Sequence, residues 1–268
     1  MLRIFFATVL LFSAVCVEAS NLSTLIPRPE RVEKRDGVFT ILTTTKITHY
    51  PSLRPSAEYL SEFIPLEIRE YNEAEEGNIV LRENKNLASE GYTLDISQKG
   101  VVIEGGSAAG VLYGIETLLQ LLPASVYSHT LALPAMVGAC RVEDAPRFEY
   151  RGFMLDVTRT WMDLPMVKRF IDRLAHHKIN KLHLHLSDDE GWRVEIKKYP
   201  GLVQTGSKRE GTCIKRNYRT NDGIPYGEGM WYSQEEIRDV VAYAASKGIT
   251  VIPEIDLPGH MMGALATY

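Results

Sequence analysis

Two short stretches and one strand end gather residues that could do chemistry. HLHLSDDEGWR (183–193) sets His183 and His185 two apart and follows them with Asp188, Asp189 and Glu190. PEIDLPGH (253–260) carries Glu254, Asp256 and His260, and the apolar run FMLDV leads into Thr158 and Arg159 just past Asp156. Three chemistries compete for these groups. Histidines two apart on a strand share a face and could grip a zinc-like ion. Catalytic zinc typically takes three protein ligands plus water; only His260 follows His185 in the chain, so Asp188 and Asp256 would have to complete the shell. Paired carboxylates could instead break a glycosidic bond, one protonating the leaving oxygen and the other stabilising positive charge at the sugar carbon. The third possibility is the polar end of buried strands, with both histidines filling an inner layer. Neighbours on a strand end diverge, so Asp188 and Asp189 should not face the same way. Spacing alone does not say which carboxylate works.

The elements that must hold these groups are legible. FMLDVT reads as a strand, and Pro165 opens a helix with Val167, Phe170, Ile171 and Leu174 at i, i+3, i+4 and i+7. KLHLHLSD reads as a second strand. Ser233 and Glu236 form a capping box for a helix buried through Ile237, Val240, Val241, Ala244 and Ala245 and closed by Gly248. TVIPEID is a third strand, giving β-α-β-α-β, the order of a parallel sheet with helical crossovers. Each strand runs into one of the polar sets. The C-terminal ends of parallel strands are where an α/β barrel or open α/β sheet places its active site. About forty residues separate Trp192 from Ser233, too many for an ordinary connection and more in keeping with a functional loop.

The first half has different grammar. GVFTIL and GNIVLRE are β-rich, and GYTLDISQKGVVIEGGS predicts a hairpin turning at Lys99 and Gly100, with Tyr92, Leu94 and Ile96 on one face. AAGVLYGIETLLQLLP predicts a helix with one apolar stripe of Leu112, Ile115, Leu119 and Leu122, stopped by Pro123. The mixture implies an α+β layer domain, with its boundary in VEDAPRFEY (142–150).

Residues 1–19 stand apart. A short positive start at Arg3, an apolar run from Ile4 to Val17 and small residues before a cut imply a secretory signal peptide, with a retained anchor as the alternative. The formal charge of −4 gives no basic stripe for nucleic acid. Two cysteines beyond that leader, Cys140 and Cys213, do not make a disulfide framework, and their pairing is left open.

The run from Arg151 through Leu202, containing LHLHLSDDEGWR, together with YSQEEIRDVVAYAASKGITVIPEIDLPGH, resembles glycoside hydrolase family 20, the β-N-acetylhexosaminidases. The region ending GVLYGIETLLQLLP is similar to that family's accessory α+β domain. The resemblance implies a leader at 1–19, an accessory domain at 20–146 and, at 147–268, the first three βα steps of a (β/α)8 barrel. It implies removal of terminal β-linked N-acetylglucosamine or N-acetylgalactosamine from glycans, without metal or cofactor. Arg159 would bind sugar hydroxyls, with Asp256 in the same polar shell. Asp188 and His260 would pair near the catalytic acid, while Asp189, Trp192 and Glu254 support the shell and His183 and His185 lie inside the barrel. The family's reaction is substrate-assisted: the sugar's acetamido oxygen attacks its own anomeric carbon, aided by an Asp-Glu pair in a Gly-Gly-Asp-Glu context. No such stretch occurs in these 268 residues. The expectation is therefore the N-terminal portion of a longer exported enzyme, with no catalytic acid of its own. The rivals are a non-catalytic carbohydrate-binding or structural protein and, more distantly, a metal-dependent amidohydrolase-like barrel.

Overall fold

Alternating apolar residues organise the first half into a sheet. The computed structural model describes residues 22–71, 78–214 and 217–268; the expected leader lies outside them. Strands β1 (Arg31–Ile41), β2 (Lys46–His49), β3 (Glu67–Glu70), β4 (Ile79–Glu83), β5 (Tyr92–Ser97), β6 (Gly100–Gly105) and β7 (Ala135–Asp144) form a mixed sheet in the order β1-β7-β5-β6-β4-β2-β3. The expected hairpin is β5–β6, and its register sets Leu94 between Ile103 on β6 and Val142 on β7. Its turn falls at Gln98 and Lys99, one residue earlier than expected. Helices α1 (Arg54–Phe63) and α2 (Ala108–Gln120) pack over the sheet, burying Tyr92, Leu94, Ile96, Val101 and Ile103 in a single core. The alternate residues of the strands carry ion pairs instead, Arg35 and Arg141 on Asp95 and Arg82 on Glu104.

Helix α2 corrects the single-stripe expectation, because every residue from Gly110 to Leu119 is buried. The sheet takes one side and the second half of the chain takes part of the other. Glu116, with no exposed surface, accepts from the Tyr59 hydroxyl and lies 2.8 Å from His176 Nδ1. Arg151 donates to both Glu90 and the Tyr113 hydroxyl. Lys178 Nζ bonds to Asp144 at 3.1 Å and to the Tyr92 hydroxyl at 2.7 Å. A buried charge is tolerated only with such partners, so this junction is polar but satisfied.

The second half follows the strand–helix reading. Its elements are β8 (Gly152–Asp156), α3 (Leu164–His176) and β9 (Lys181–His185), then the short pair β10 (Ser187–Asp188) and β11 (Gly191–Trp192). The excursion holds α4 (Gly201–Gln204), β12 (Cys213–Ile214) and β13 (Asn217–Asn221); α5 (Gln234–Ser246), β14 (Thr250–Glu254) and α6 (Met262–Leu265) complete it. Strands β14, β9 and β8 form a parallel sheet in that order. Leu155, Leu182 and Leu184 project from one face onto Val167, Ile171 and Leu174 of α3 and Val240 and Ala244 of α5. The Ser233–Glu236 capping box is formed, and Gly248 ends the helix at φ 70°. The α5 stripe is narrower than expected: Val241, 44% exposed, and Ala245 lie outside the packed face. Each follows a buried neighbour by one residue, about 100° around the helix, which turns it off the sheet. Cys140 and Cys213 are both free. No helix among the described residues is long and apolar enough to cross a membrane.

Candidate active site

Parallel register brings the polar strand ends together. Asp156, His185 and Glu254 are direct neighbours across β8, β9 and β14. They lie on the face opposite the leucines that pack on the helices, because side chains alternate along a strand. His183 is two residues earlier on that same face, and Glu254 Oε2 receives both rings, at 2.6 Å from His183 Nε2 and 2.8 Å from His185 Nδ1. His185 Nε2 continues to Asp188 Oδ2 at 2.7 Å. The Asp188 side chain, 1% exposed, also accepts the Asp189 N–H at 2.7 Å and lies 3.1 Å from His260 Nδ1. His260 holds φ at 53°, a left-handed conformation uncommon outside glycine; outliers of this kind concentrate at functional sites.

The charges explain one another. Burial disfavours a charged His185, but its bonds to Glu254 and Asp188 override that and raise its pKa. Burial likewise pushes the carboxyls of Asp188 and Glu254 upward, and the bonds from His185, with Arg159 and His183, bring both below the ordinary carboxylate range. Glu190 goes the other way: burial and the adjoining Asp188 raise its pKa.

Arg159 sits at the centre of the acids. Its Nε lies 3.1 Å from Glu190, Nη1 2.7 Å from Asp156 and Nη2 2.6 Å from Asp188. A guanidinium has five N–H donors; three are spent on these carboxylates, Nη1 also lies 3.3 Å from His185 Nε2, and the side chain is 41% exposed. The long excursion secures the loops beneath. Arg193, fully buried, donates to the carbonyls of Thr158, Ser207, Met230 and Glu190. Arg209 donates to the carbonyls of Arg159 and Glu190 and stacks 4.0 Å from the Tyr226 ring centroid, while the Tyr226 hydroxyl accepts the Trp161 N–H.

Arg159, Asp188, His260 and Glu254 thus fall in one connected cluster. Asp189 turns outward, 48% exposed, and caps the Met262 N–H. The Trp192 ring packs on Leu202 and Val203 and donates to the Val194 carbonyl, so it steadies β11 without reaching the acids through any side-chain bond. Asp256 receives its anchor through its own N–H, which donates to Ser187 Oγ at 2.9 Å. Asp156, His185 and Glu190 join the cluster, the first and last named in the sequence among the polar strand ends and His185 as part of an inner polar layer. In the structure His185 bonds to Glu254 and Asp188. Asp188, Asp256 and His260 bring ligand atoms within 4.8 Å of one another, a set able to approach a metal ion. Both Asp188 oxygens are already engaged, one by a guanidinium, and His183 and His185 face Glu254; this donor set fits a hydrogen-bonded network better than a metal shell.

Parallel βα units with a polar cluster at their C-terminal strand ends define an α/β-barrel type of site. Comparison with known proteins agrees. The catalytic-domain model of glycosyl hydrolase family 20 matches residues 148–268, and the model of that family's domain 2 matches residues 22–145. A beta-hexosaminidase of Porphyromonas gingivalis is 42% identical over 91% of this chain and 31% of its own length. One from Vibrio furnissii is 39% identical over 92% of this chain and 39% of its own. The solved family 20 β-N-acetylhexosaminidase of Streptomyces coelicolor superimposes with a TM-score of 0.83 at 37% identity, over 94% of this chain and 50% of that one. The Vibrio harveyi exo-β-N-acetylglucosaminidase, solved with N-acetylglucosamine, gives 0.79 at 36% identity, over 93% and 38%. The chain belongs to glycoside hydrolase family 20, with an accessory α+β domain followed by part of a TIM barrel. It spans half or less of the length of each of these four proteins.

Proposed function

We propose that this chain supplies the sugar-holding part of an exo-β-N-acetylhexosaminidase, which removes terminal β-linked N-acetylglucosamine or N-acetylgalactosamine by substrate-assisted, retaining catalysis. The observation that carries the reading is Arg159, which three carboxylate partners orient while its side chain stays 41% exposed. An oriented, exposed guanidinium suits sugar hydroxyls, and the surrounding acids would repel an anion. Arg159 and Asp256 are assigned to the sugar; Asp188 and His260 to tuning the acid; Asp189, Trp192 and Glu254 to holding that shell. Residues 20–146 serve as the accessory domain and 147–268 as barrel. No Gly-Gly-Asp-Glu stretch occurs in the sequence, so the acid and the acetamido-orienting group must come from elsewhere. The test is hydrolysis of a chromogenic N-acetylglucosaminide. The 268-residue chain alone should show none, whereas a chimera joining it to the remaining barrel of the Vibrio furnissii relative should turn over. An inactive but well-folded chimera would favour a non-catalytic carbohydrate-binding role.

Export is part of the proposal, supported by the charge and apolar pattern of residues 1–19. Expression in a host with a secretory pathway should give a mature N-terminus near Ser20; protein retaining Met1 in the cytosol would contradict it.

A further inference from the structure

One cavity lies far from the acids. About 650 Å³ opens between the two halves, floored by Tyr113, Asp144 and Lys178 and rimmed by Arg28, Arg147 and Phe148. Arg151 and Lys178 stand just before or between the strands on their N-terminal side, whereas the Arg159 cluster is at the C-terminal ends. A five-residue strand separates the two by roughly 16 Å. Clefts where two domains meet are frequent ligand sites when apolar walls carry a few polar groups.

The floor is electrostatically closed. Lys178 is paired with Asp144, and Arg151 with Glu90. The rim differs. Arg28 and Arg147 have no ion pair or hydrogen bond among the described residues, and Glu30 is the single unpaired acid of the lining. Arg147 stands 5.5 Å from the ring centroid of Phe148, which is itself 66% exposed. Arg147 lies over one face of the exposed Phe148 ring, leaving its other face, and Arg28 lines the same cleft, so the rim offers an apolar face and two guanidinium groups free of carboxylates.

We propose that this interdomain cleft binds an acidic sugar, a pyranose ring carrying a carboxylate or sulfate, with Phe148 against the ring and Arg28 and Arg147 on the oxyanion. The ligand would touch the segment before β1, the linker after β7 and α2, and so would join the two halves. The site is independent of the hexosaminidase reading, because none of its residues belongs to the Arg159 cluster.

The test is titration of the 268-residue chain with glucuronate, N-acetylglucosamine 6-sulfate and neutral N-acetylglucosamine, followed by backbone amide shifts and melting temperature. At least one acidic sugar should move the amides of Arg28, Glu30, Asp144, Ala145, Arg147 and Phe148 and raise the melting temperature, while the neutral sugar leaves those amides in place. The two acidic probes tell a carboxylate from a sulfate preference. Arg28→Gln and Arg147→Gln, both at exposed positions, should each weaken binding about tenfold, as expected for one charge-assisted hydrogen bond. No shifts at Arg28, Glu30, Asp144, Ala145, Arg147 or Phe148 with either acidic sugar, equal response to the neutral one, or binding unchanged in the double variant would overturn the proposal.

Discussion

At the scale of single residues, the site is a relay of paired charges rather than a set of independent groups. His185 lies between two carboxylates, which raise its pKa, and it helps to lower theirs. The signs set the pH dependence. A group whose folded pKa is raised stabilises fully below its unfolded value and loses that contribution as pH climbs through the folded one; groups held low stabilise above their unfolded values and lose it on acidification. The folded state should therefore be most stable between the carboxylate and imidazole ranges. Melting temperature followed against pH should fall on both sides, and His185→Gln should flatten the alkaline fall. An unchanged alkaline limb would show that His185 does not carry it. His183→Gln should hurt folding more than turnover, since among the described residues His183 reaches only Glu254; a folded variant whose lost turnover returned with zinc would favour a metal site. Alternation in the sequence separated Asp188 from Asp189, but it was the family resemblance that chose Asp188. Glu190 was named beside them, and its place next to Arg159 was not legible, because it depends on the β10–β11 hairpin, which no periodicity announced.

At the scale of elements, strands and helices of the barrel half could be read because each satisfies a local rule: the Ser233–Glu236 box, Gly248, the α3 stripe. What the rules did not show was partnership. Helix α2 is almost wholly apolar, with Glu116 its one charged residue, and it is buried all round because the second half docks on its far side. The excursion between Trp192 and Ser233 looked functional by length alone. Its visible work is to bring Ser207, Arg209 and Tyr226 against the loop after β8, with Arg193 as the buried tie. Arg193→Met should destabilise the chain by about 3–5 kcal/mol, because four carbonyls lose a charged donor inside the protein. Urea unfolding measures this. A loss below about 1 kcal/mol would mean that water replaces the guanidinium and that the tie is dispensable.

At the scale of the whole molecule, the two halves differ in self-sufficiency. The first has one large core, whereas among the described residues β8 and β14 are both sheet edges, and open edges invite association. Phe153, Met154 and Leu257 are also exposed. Residues 20–146 expressed alone should be soluble and leave a protease-resistant core, although without His176 the buried Glu116 loses one of its partners. Residues 147–268 alone should aggregate or be digested; a monomer with sharp, dispersed amide resonances would contradict that. The central claim is that this chain grips the sugar through Arg159, and the most direct measurement is steady-state hydrolysis of an N-acetylglucosaminide by the Vibrio furnissii chimera with and without Arg159→Ala. Loss of charge-assisted hydrogen bonding to the sugar should lower kcat/KM by roughly 10- to 100-fold in a variant that still folds. Unchanged kcat/KM in the folded variant would contradict the account.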